Sequence, residues 1–153
     1  MEQDDGLEYA GFWIRSGAFV IDTLLLAMIS FPLGFMLFGQ RNLTMGIFER
    51  GFFGLVVDYA IPMAITIMFW AAYQATPGKM AIRGKIVDAT TGKTPTLAQY
   101  VLRYIGYFAS ILPLFLGILW VGFDPKKQGW HDKIANTVVV RTRQGTQPVS
   151  FSQ

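Results

Sequence analysis

Three long apolar stretches constrain this chain more than any other feature of its sequence. They run from about residue 12 to 38, from 52 to 75 and from 97 to 123. As a helix, each is long enough to cross a hydrocarbon core of about 30 Å. Apolar residues make up 52% of the chain, as a lipid environment requires. The sequence therefore predicts an all-α integral membrane protein with at least two transmembrane helices.

The third apolar stretch leaves two topologies open. It is interrupted by Arg103, Gly106, Pro113 and Gly117. It therefore forms either one span or a helical hairpin, bent at residues 110–113, that enters and leaves by the same face. Three full spans place six basic residues on one face and seven on the other. A hairpin places eleven on one face and leaves only Arg41 and Arg50 on the other, as the positive-inside rule expects. We therefore expect two full transmembrane helices plus a hairpin, with both termini cytoplasmic.

The residues outside the apolar stretches predict a small β-element and two tails. Residues 80–89 show alternating apolar side chains, and residues 137–141 are mostly β-branched. We expect these two short segments to pair as strands on the cytoplasmic side. The acidic residues 1–11 are expected to form an N-terminal tail. Residues 144–153 are polar and are expected to be a mobile tail. The membrane domain between them covers residues 12–143.

Ionisable residues inside the apolar stretches are the first candidates for function. Arg15 and Asp22 are seven residues apart, so a helix brings them to nearly the same face. A charge at this depth costs about 2.5–3.5 kcal/mol unless it finds a partner. Two interpretations stay open, a structural ion pair between helices or a site for a cation or proton. Asp58, about 9 Å inside the opposite end of the second stretch, is a further candidate for an ion path.

Charged residues near the third stretch extend this set. Asp132 follows the third apolar stretch and is a candidate partner for a basic residue such as Arg15 or Arg103. We therefore predict one charged cluster of Arg15, Asp22, Arg103 and Asp132. His131 titrates near neutral pH when it is unperturbed, so it is a candidate source of pH sensitivity and, with Asp58, a further candidate for an ion path.

Other motifs argue against several classes of function. Gly78-Lys79 lacks the strand and the Ser/Thr of a phosphate loop, so it predicts a tight turn at the membrane interface whose lysine reaches water. Trp70 and Tyr73 predict an aromatic belt at the same end. The chain has no Cys and one His, so we expect no metal site and no cofactor. A net charge of +3 gives no case for nucleic acid.

Taken in order, these motifs resemble the RDD family of membrane proteins, which is named for one arginine and two aspartates. The resemblance covers about residues 10–141 and rests on Arg15, Asp22, the segments 76–79 (TPGK), 84–88 (GKIVD), 130–135 (WHDKIA) and 137–140 (TVVV), and Arg103. It implies that Asp22 and Asp132 are the two aspartates. Asn136 departs from the small residue expected there. The resemblance also implies a bacterial cytoplasmic membrane and, as the usual suggestion, transport of ions or small solutes.

Two functional hypotheses follow. The first is transport of a cation, a proton or a small solute by an oligomer, because two or three helices cannot enclose a path alone. The second is a non-catalytic accessory or assembly subunit of a larger membrane complex, in which the charges are structural. We do not expect an enzyme, since no nucleophile–base pair or metal set can be assembled from these residues. The expected partners are the lipid bilayer and either identical or different membrane subunits.

Overall fold

A computed structural model of the chain describes residues 3–46, 49–142 and 148–150. The elements in chain order are β1 (Gln3–Tyr9), α1 (Phe12–Phe38), α2 (Gly51–Leu55), α3 (Ile61–Tyr73), α4 (Pro77–Ala81), β2 (Gly84–Asp88), α5 (Leu97–Ile111), α6 (Leu116–Leu119), α7 (Trp130–Ile134), β3 (Thr137–Thr142) and β4 (Pro148–Ser150). The described part of the chain is therefore mostly helical and carries a small sheet.

Two helical stretches of the described residues are long and apolar enough to cross a membrane, Phe12–Arg41 and Gly51–Ala81. Large side chains along α1, such as Phe19, Leu24 and Met28, are exposed. Exposed apolar residues over such a length are expected where a helix surface meets lipid. The two predicted transmembrane helices are confirmed as helices of sufficient length and apolarity.

The second of these stretches contains a π-helical turn, Val56–Ala60, between α2 and α3. Pro62 follows it at the start of α3 and has no N–H to donate to the carbonyl of Asp58, so the regular hydrogen-bond pattern cannot continue there. Single π-turns inside α-helices are frequent at functional sites. The turn places Asp58 at an irregular point of an otherwise apolar helix.

The third apolar stretch is bent, as the hairpin prediction requires. The chain bends by 113° between the helical segments Leu97–Ile111 and Leu116–Gly122. The bend passes through positive φ angles at Leu114 and Phe115. Gly117 lies against Ser110, so closely that a Cβ atom on Gly117 would be 2.6 Å from the Ser110 Cα. The absence of a side chain at this position therefore allows the two segments to pack together.

The described strands form one sheet in the order β2-β3-β1-β4. β2 and β3 are antiparallel, with Ile86 opposite Val139, which confirms the predicted pairing of these segments. The predicted strand 80–89 is too long, however, because Pro77–Ala81 is helical and β2 begins only at Gly84. Proline is favoured in the first turn of a helix, and here Pro77 occupies that turn.

The prediction of an acidic N-terminal tail is wrong, because Gln3–Tyr9 is a strand paired with both β3 and β4. Glu8 is buried, and an ion pair with Arg141 of β3 compensates its charge. Of the predicted mobile tail, Pro148–Ser150 forms β4. The remainder of that prediction falls on residues 144–147 and 151–153, which lie outside the described residues.

One face of the sheet packs directly on the helices. Ile86 and Val139 from the sheet, with Ala10, form a buried cluster with Trp70 at the end of α3 and Tyr100 of α5. The opposite face carries a second apolar cluster, which contains Leu7, Tyr9, Val87, Ala89, Val138 and Val140. β2 and β3 contribute side chains to both clusters, so the sheet packs on the helices through one face and carries an apolar cluster of its own on the other.

Candidate functional site

A buried cluster of three charges connects the helices to the segment that follows them. Asp132 of α7 forms ion pairs with Arg15 of α1, at 2.6 Å, and with Arg103 of α5. Arg103 and Asp132 are fully buried, and the Arg15 side chain is 9% exposed. Arg15, Arg103 and Asp132 are called the charged cluster below. The sequence-based prediction that these three residues lie together is confirmed.

Further hydrogen bonds connect each member of the charged cluster to its surroundings. Arg15 donates to the carbonyl oxygen of Lys127 (2.7 Å), and Arg103 donates to the hydroxyl of Thr137 (2.7 Å). The backbone N–H of Gly129 donates to Asp132 (2.9 Å). The cluster thereby joins α1, α5, α7 and β3, which are distant in sequence. A carboxylate paired with two guanidinium groups offsets much of the cost of burying all three.

His131 is fixed beside this cluster in a specific protonation state. Its ring stacks on Tyr107 with 4.0 Å between ring centroids. Nδ1 lies 3.2 Å from the hydroxyl of Ser110, and Nε2 lies 3.3 Å from a guanidinium nitrogen of Arg15. Ser110 itself donates to the carbonyl of Gly106, so its oxygen is free to accept. A neutral imidazole that donates from Nδ1 and accepts at Nε2 satisfies every one of these contacts.

The pKa values of this segment follow from burial and neighbouring charge. Burial lowers the pKa of His131 to about 3, against the opposing effect of Asp132. Burial alone would raise the pKa of the Asp132 carboxyl, but Arg103 and then Arg15 hold that pKa well below its usual range. The expectation that His131 titrates near neutral pH is therefore not met, since the ring stays neutral there.

Asp22 does not belong to the charged cluster, and the prediction of one cluster of four residues is wrong in this respect. Its carboxylate accepts hydrogen bonds from the Thr76 hydroxyl (2.5 Å) and from the backbone N–H of Gly78 (2.7 Å). Lys79 lies 3.9 Å away and also donates to Thr76. These partners come from α4 and the residue before it, which return alongside α1. Asp22, Thr76, Gly78 and Lys79 are called the Asp22 site below.

Close backbone contact explains why this return is possible. A Cβ atom on Gly78 would lie 2.0 Å from the carbonyl oxygen of Ala18, so only glycine allows α4 to approach α1 this closely. Lys79 is 8% exposed, and its ammonium lies 5.9 Å from the centre of the Trp70 ring. The prediction of an interfacial turn with a lysine reaching water is therefore wrong, since both residues are buried in α4.

Asp58 has a partner that the sequence did not indicate. Its carboxylate lies 2.6 Å from a guanidinium nitrogen of Arg50, at the start of the same helical stretch. The guanidinium also lies 5.7 Å from the centre of the Phe38 ring, at the end of α1. These contacts connect the end of the first long helix to the beginning of the second.

Asp22 and Asp58 line the same cavity. It has a volume of about 700 Å³ and lies between α1, the π-turn with α3, and α5. The walls are mainly apolar, with Leu25, Ile29 and Ile65 as examples. Polar groups at the lining include Thr76, Lys79, Trp70, Tyr104 and Tyr107. The arrangement suits a ligand with a large apolar surface and few polar groups.

Sequence reasoning missed Trp70 and Ser110. Trp70 has the position of an interfacial aromatic, yet it is 1% exposed and packs on the sheet. Ser110 is part of the predicted break in the third stretch, and it also holds His131. Within the described residues, no group of three or more His, Cys, Asp or Glu side chains is placed to hold a metal ion.

Comparison with known proteins gives one family and several relatives. The model of the RDD family matches residues 9–136. The uncharacterized membrane protein YteJ of Bacillus subtilis is 31% identical over 139 residues, which cover 88% of this chain and 82% of YteJ. The uncharacterized protein RP437 of Rickettsia prowazekii is 42% identical over 76 residues, which cover 50% of this chain and 42% of RP437. The chain thus spans less than half the length of RP437. No solved structure matches.

Proposed function

Since the chain belongs to the RDD family and is a membrane protein, we propose that it carries a small solute across the membrane through the cavity between α1, α3 and α5. The strongest support for this proposal is that Asp22 and Asp58, which come from two different long helices, line the same cavity. Ionisable residues inside membrane helices are costly and mark solute or ion pathways. In this proposal the two aspartates exchange protons or cations during transport.

The walls of the cavity favour a small solute over a bare cation as the transported species. A volume of about 700 Å³ is in the range of small-molecule sites and is far more than one ion requires. Most lining side chains offer no oxygen ligand, so a dehydrated metal ion would lose its hydration shell without replacement. A solute with apolar surface gains from the same walls.

The proposed topology has both termini on the cytoplasmic side, with α5 and α6 entering and leaving by that side. The pairing of β1, β2 and β3 in one sheet supports it, because paired strands must lie on the same side of the membrane. Two spans separate β1 from β2, and the bent α5–α6 pair separates β2 from β3. The excess of basic residues on that side supports the proposal that this side is cytoplasmic.

Cysteine labelling tests this topology cleanly, since the chain has no native cysteine. Thr44 and Thr142 are exposed and lie on opposite sides in the proposal. In intact cells, a membrane-impermeant maleimide should label Thr44→Cys and leave Thr142→Cys unlabelled until the membrane is opened. Labelling of Thr142→Cys from outside would refute the topology.

The alternative function is an accessory or assembly subunit without catalytic activity. The charged cluster favours it, because its three charges are used in contacts between elements of one chain. Purification in a mild detergent distinguishes the two. A homo-oligomer supports a transporter, whose cavity a second copy would help to enclose, and a stable complex with other polypeptides supports the accessory role.

Flux measurements test the proposed transport itself. Proteoliposomes should admit at least one member of a panel of small solutes faster than empty vesicles, as followed by light scattering and a trapped pH dye. Asp22→Asn should abolish this excess in protein that still folds, whereas Glu49→Gln, which neutralises an exposed acid that does not line the cavity, should preserve it. Equal permeability of wild-type and empty vesicles to the whole panel would contradict the proposal.

A further inference from the structure

The end of the cavity nearest the sheet has an excess of positive charge. Lys79 and Arg103 both lie against the Trp70 ring, at 5.9 and 5.5 Å from its centre. Among the described residues around this end, three charged groups are positive and two are negative, which leaves a net charge of +1. The positive groups are Arg15, Lys79 and Arg103, and the negative groups are Asp22 and Asp132. Of these, Lys79 and Asp22 line the cavity, and the other three lie outside its lining.

This excess is poorly compensated by the protein. Arg15 and Arg103 share Asp132, and the carboxylate of Asp22 is 3.9 Å from Lys79, beyond direct hydrogen-bond distance. The Lys79 ammonium has three protons to donate, and among the described residues it has one acceptor within hydrogen-bond distance, the Thr76 hydroxyl at 3.2 Å. An uncompensated charge away from water is costly, so an anionic group at this place would be stabilised.

A second donor at the same end also lacks an acceptor. Trp70 lines the cavity and is 1% exposed, and its indole nitrogen has no hydrogen-bond partner among the described residues. Buried indole N–H groups usually find an acceptor. An acidic head group beside Lys79 would bring oxygen atoms to this donor as well.

We infer that the cavity binds an anionic amphiphile, with its carboxylate or phosphate head beside Lys79 and Trp70 and its hydrocarbon chain along α1 and α3. The apolar side chains Leu25, Leu26, Ile29 and Ile65 line the part of the cavity that would receive the chain. A hydrocarbon chain gains free energy when its methylenes leave water, but gains nothing comparable on moving from lipid, so the head group provides the selectivity. The inference names the solute class of the proposed transport and rests on that proposal for the ligand's role.

Spin-labelled lipids in bilayers of neutral phosphatidylcholine provide the test, using the full chain. The motionally restricted component of the spectrum gives the association constant of each spin-labelled lipid with the protein. This constant should be about tenfold larger for spin-labelled stearate than for spin-labelled methyl stearate, which lacks the charge. Spin-labelled phosphatidylglycerol against phosphatidylcholine then distinguishes a phospholipid from a free fatty acid as the source of the head group. Equal association of stearate and its methyl ester would overturn the inference.

Two variants locate the site. Lys79→Met should remove the preference for stearate, and Trp70→Phe, which keeps the ring and removes the donor, should weaken it several-fold. Lys85→Met is the matched control, because Lys85 is exposed on β2 and does not line this cavity. If Lys79→Met does not fold, an unchanged preference in Trp70→Phe overturns the inference by itself. Selective binding of stearate without flux would refute the proposed transport but not the inferred binding site. Flux without selectivity for anions would refute the inferred binding site but not the proposed transport.

Discussion

The charged cluster and the Asp22 site lie close to each other in the fold but differ in how closely their opposite charges approach and in whether they line the cavity. In the cluster, Asp132 is fully buried between two arginines and is also held by a backbone N–H. At the Asp22 site, the carboxylate faces a cavity and its nearest cation is 3.9 Å away. Direct ion pairs that do not line the cavity stabilise one structure, and a looser pair that lines the cavity has capacity left for a ligand.

The largest effect is expected from breaking the charged cluster. Asp132→Asn leaves Arg15 and Arg103 without a carboxylate in a buried position. Removing one partner of a buried ion pair typically costs about 3–5 kcal/mol. The free energy of unfolding in mixed micelles at pH 7 should fall by this amount, and Glu49→Gln should leave it nearly unchanged. A loss below about 1 kcal/mol would mean that the cluster does not hold these elements together.

A steric change at the Asp22 site should have the next largest effect. Gly78→Ala places a methyl group in the contact between α4 and the Ala18 carbonyl, and such overpacking costs about 1–3 kcal/mol. Gly17→Ala is the control, because nothing lies within 4 Å of a Cβ atom there and alanine favours the helix. The same unfolding measurement applies. Equal stability of both variants would show that α4 does not pack on α1 as described.

The protonation of His131 makes a smaller, pH-dependent contribution. The pKa of this residue is about 3 in the folded protein and has a reference value of 6.5. Between these values the unfolded chain binds a proton that the folded chain excludes, so stability falls as the pH drops below 6.5, by at most about 1.4 kcal/mol per pH unit. Unfolding measured between pH 6.5 and 4.5 should therefore have a shallower pH slope in His131→Gln. Identical slopes would show that the ring is not held neutral.

Much of this architecture is contained in local sequence patterns. Long apolar runs predict α1 and the second helical stretch, and β-branched alternation predicts that β2 pairs with β3, because both patterns report an apolar environment, lipid or protein, over consecutive residues. Spacing within one helix also places Arg15 and Asp22 on nearly the same face. It does not reveal their partners, which come from α7 and from α4 and so depend on how distant segments return to α1.

Two predictions from the sequence, the N-terminal tail and the exposed Lys79, are wrong because they depend on contacts between distant segments. Residues 1–11 are acidic and suggest a solvated tail, but Arg141, more than 130 positions later, compensates Glu8 and allows β1 to form. Lys79 follows an apolar stretch and suggests a side chain that reaches water, but the contact of Gly78 with Ala18 turns α4 inward. In both cases a residue far away in sequence decides whether a charge is buried.

Double-mutant cycles test the separation of the two sites most directly. Arg15→Gln is combined with Asp132→Asn in one cycle and with Asp22→Asn in the other, and the free energy of unfolding is measured for each variant. Residues in contact show coupling energies of about 0.5–3 kcal/mol, and residues without shared partners add within about 0.5 kcal/mol. For Arg15 with Asp132 we predict a coupling energy above about 1 kcal/mol. For Arg15 with Asp22 we predict that the two effects add to within about 0.5 kcal/mol. Coupling of Arg15 to Asp22 as strong as its coupling to Asp132 would contradict the account, because the four residues would then form one cluster.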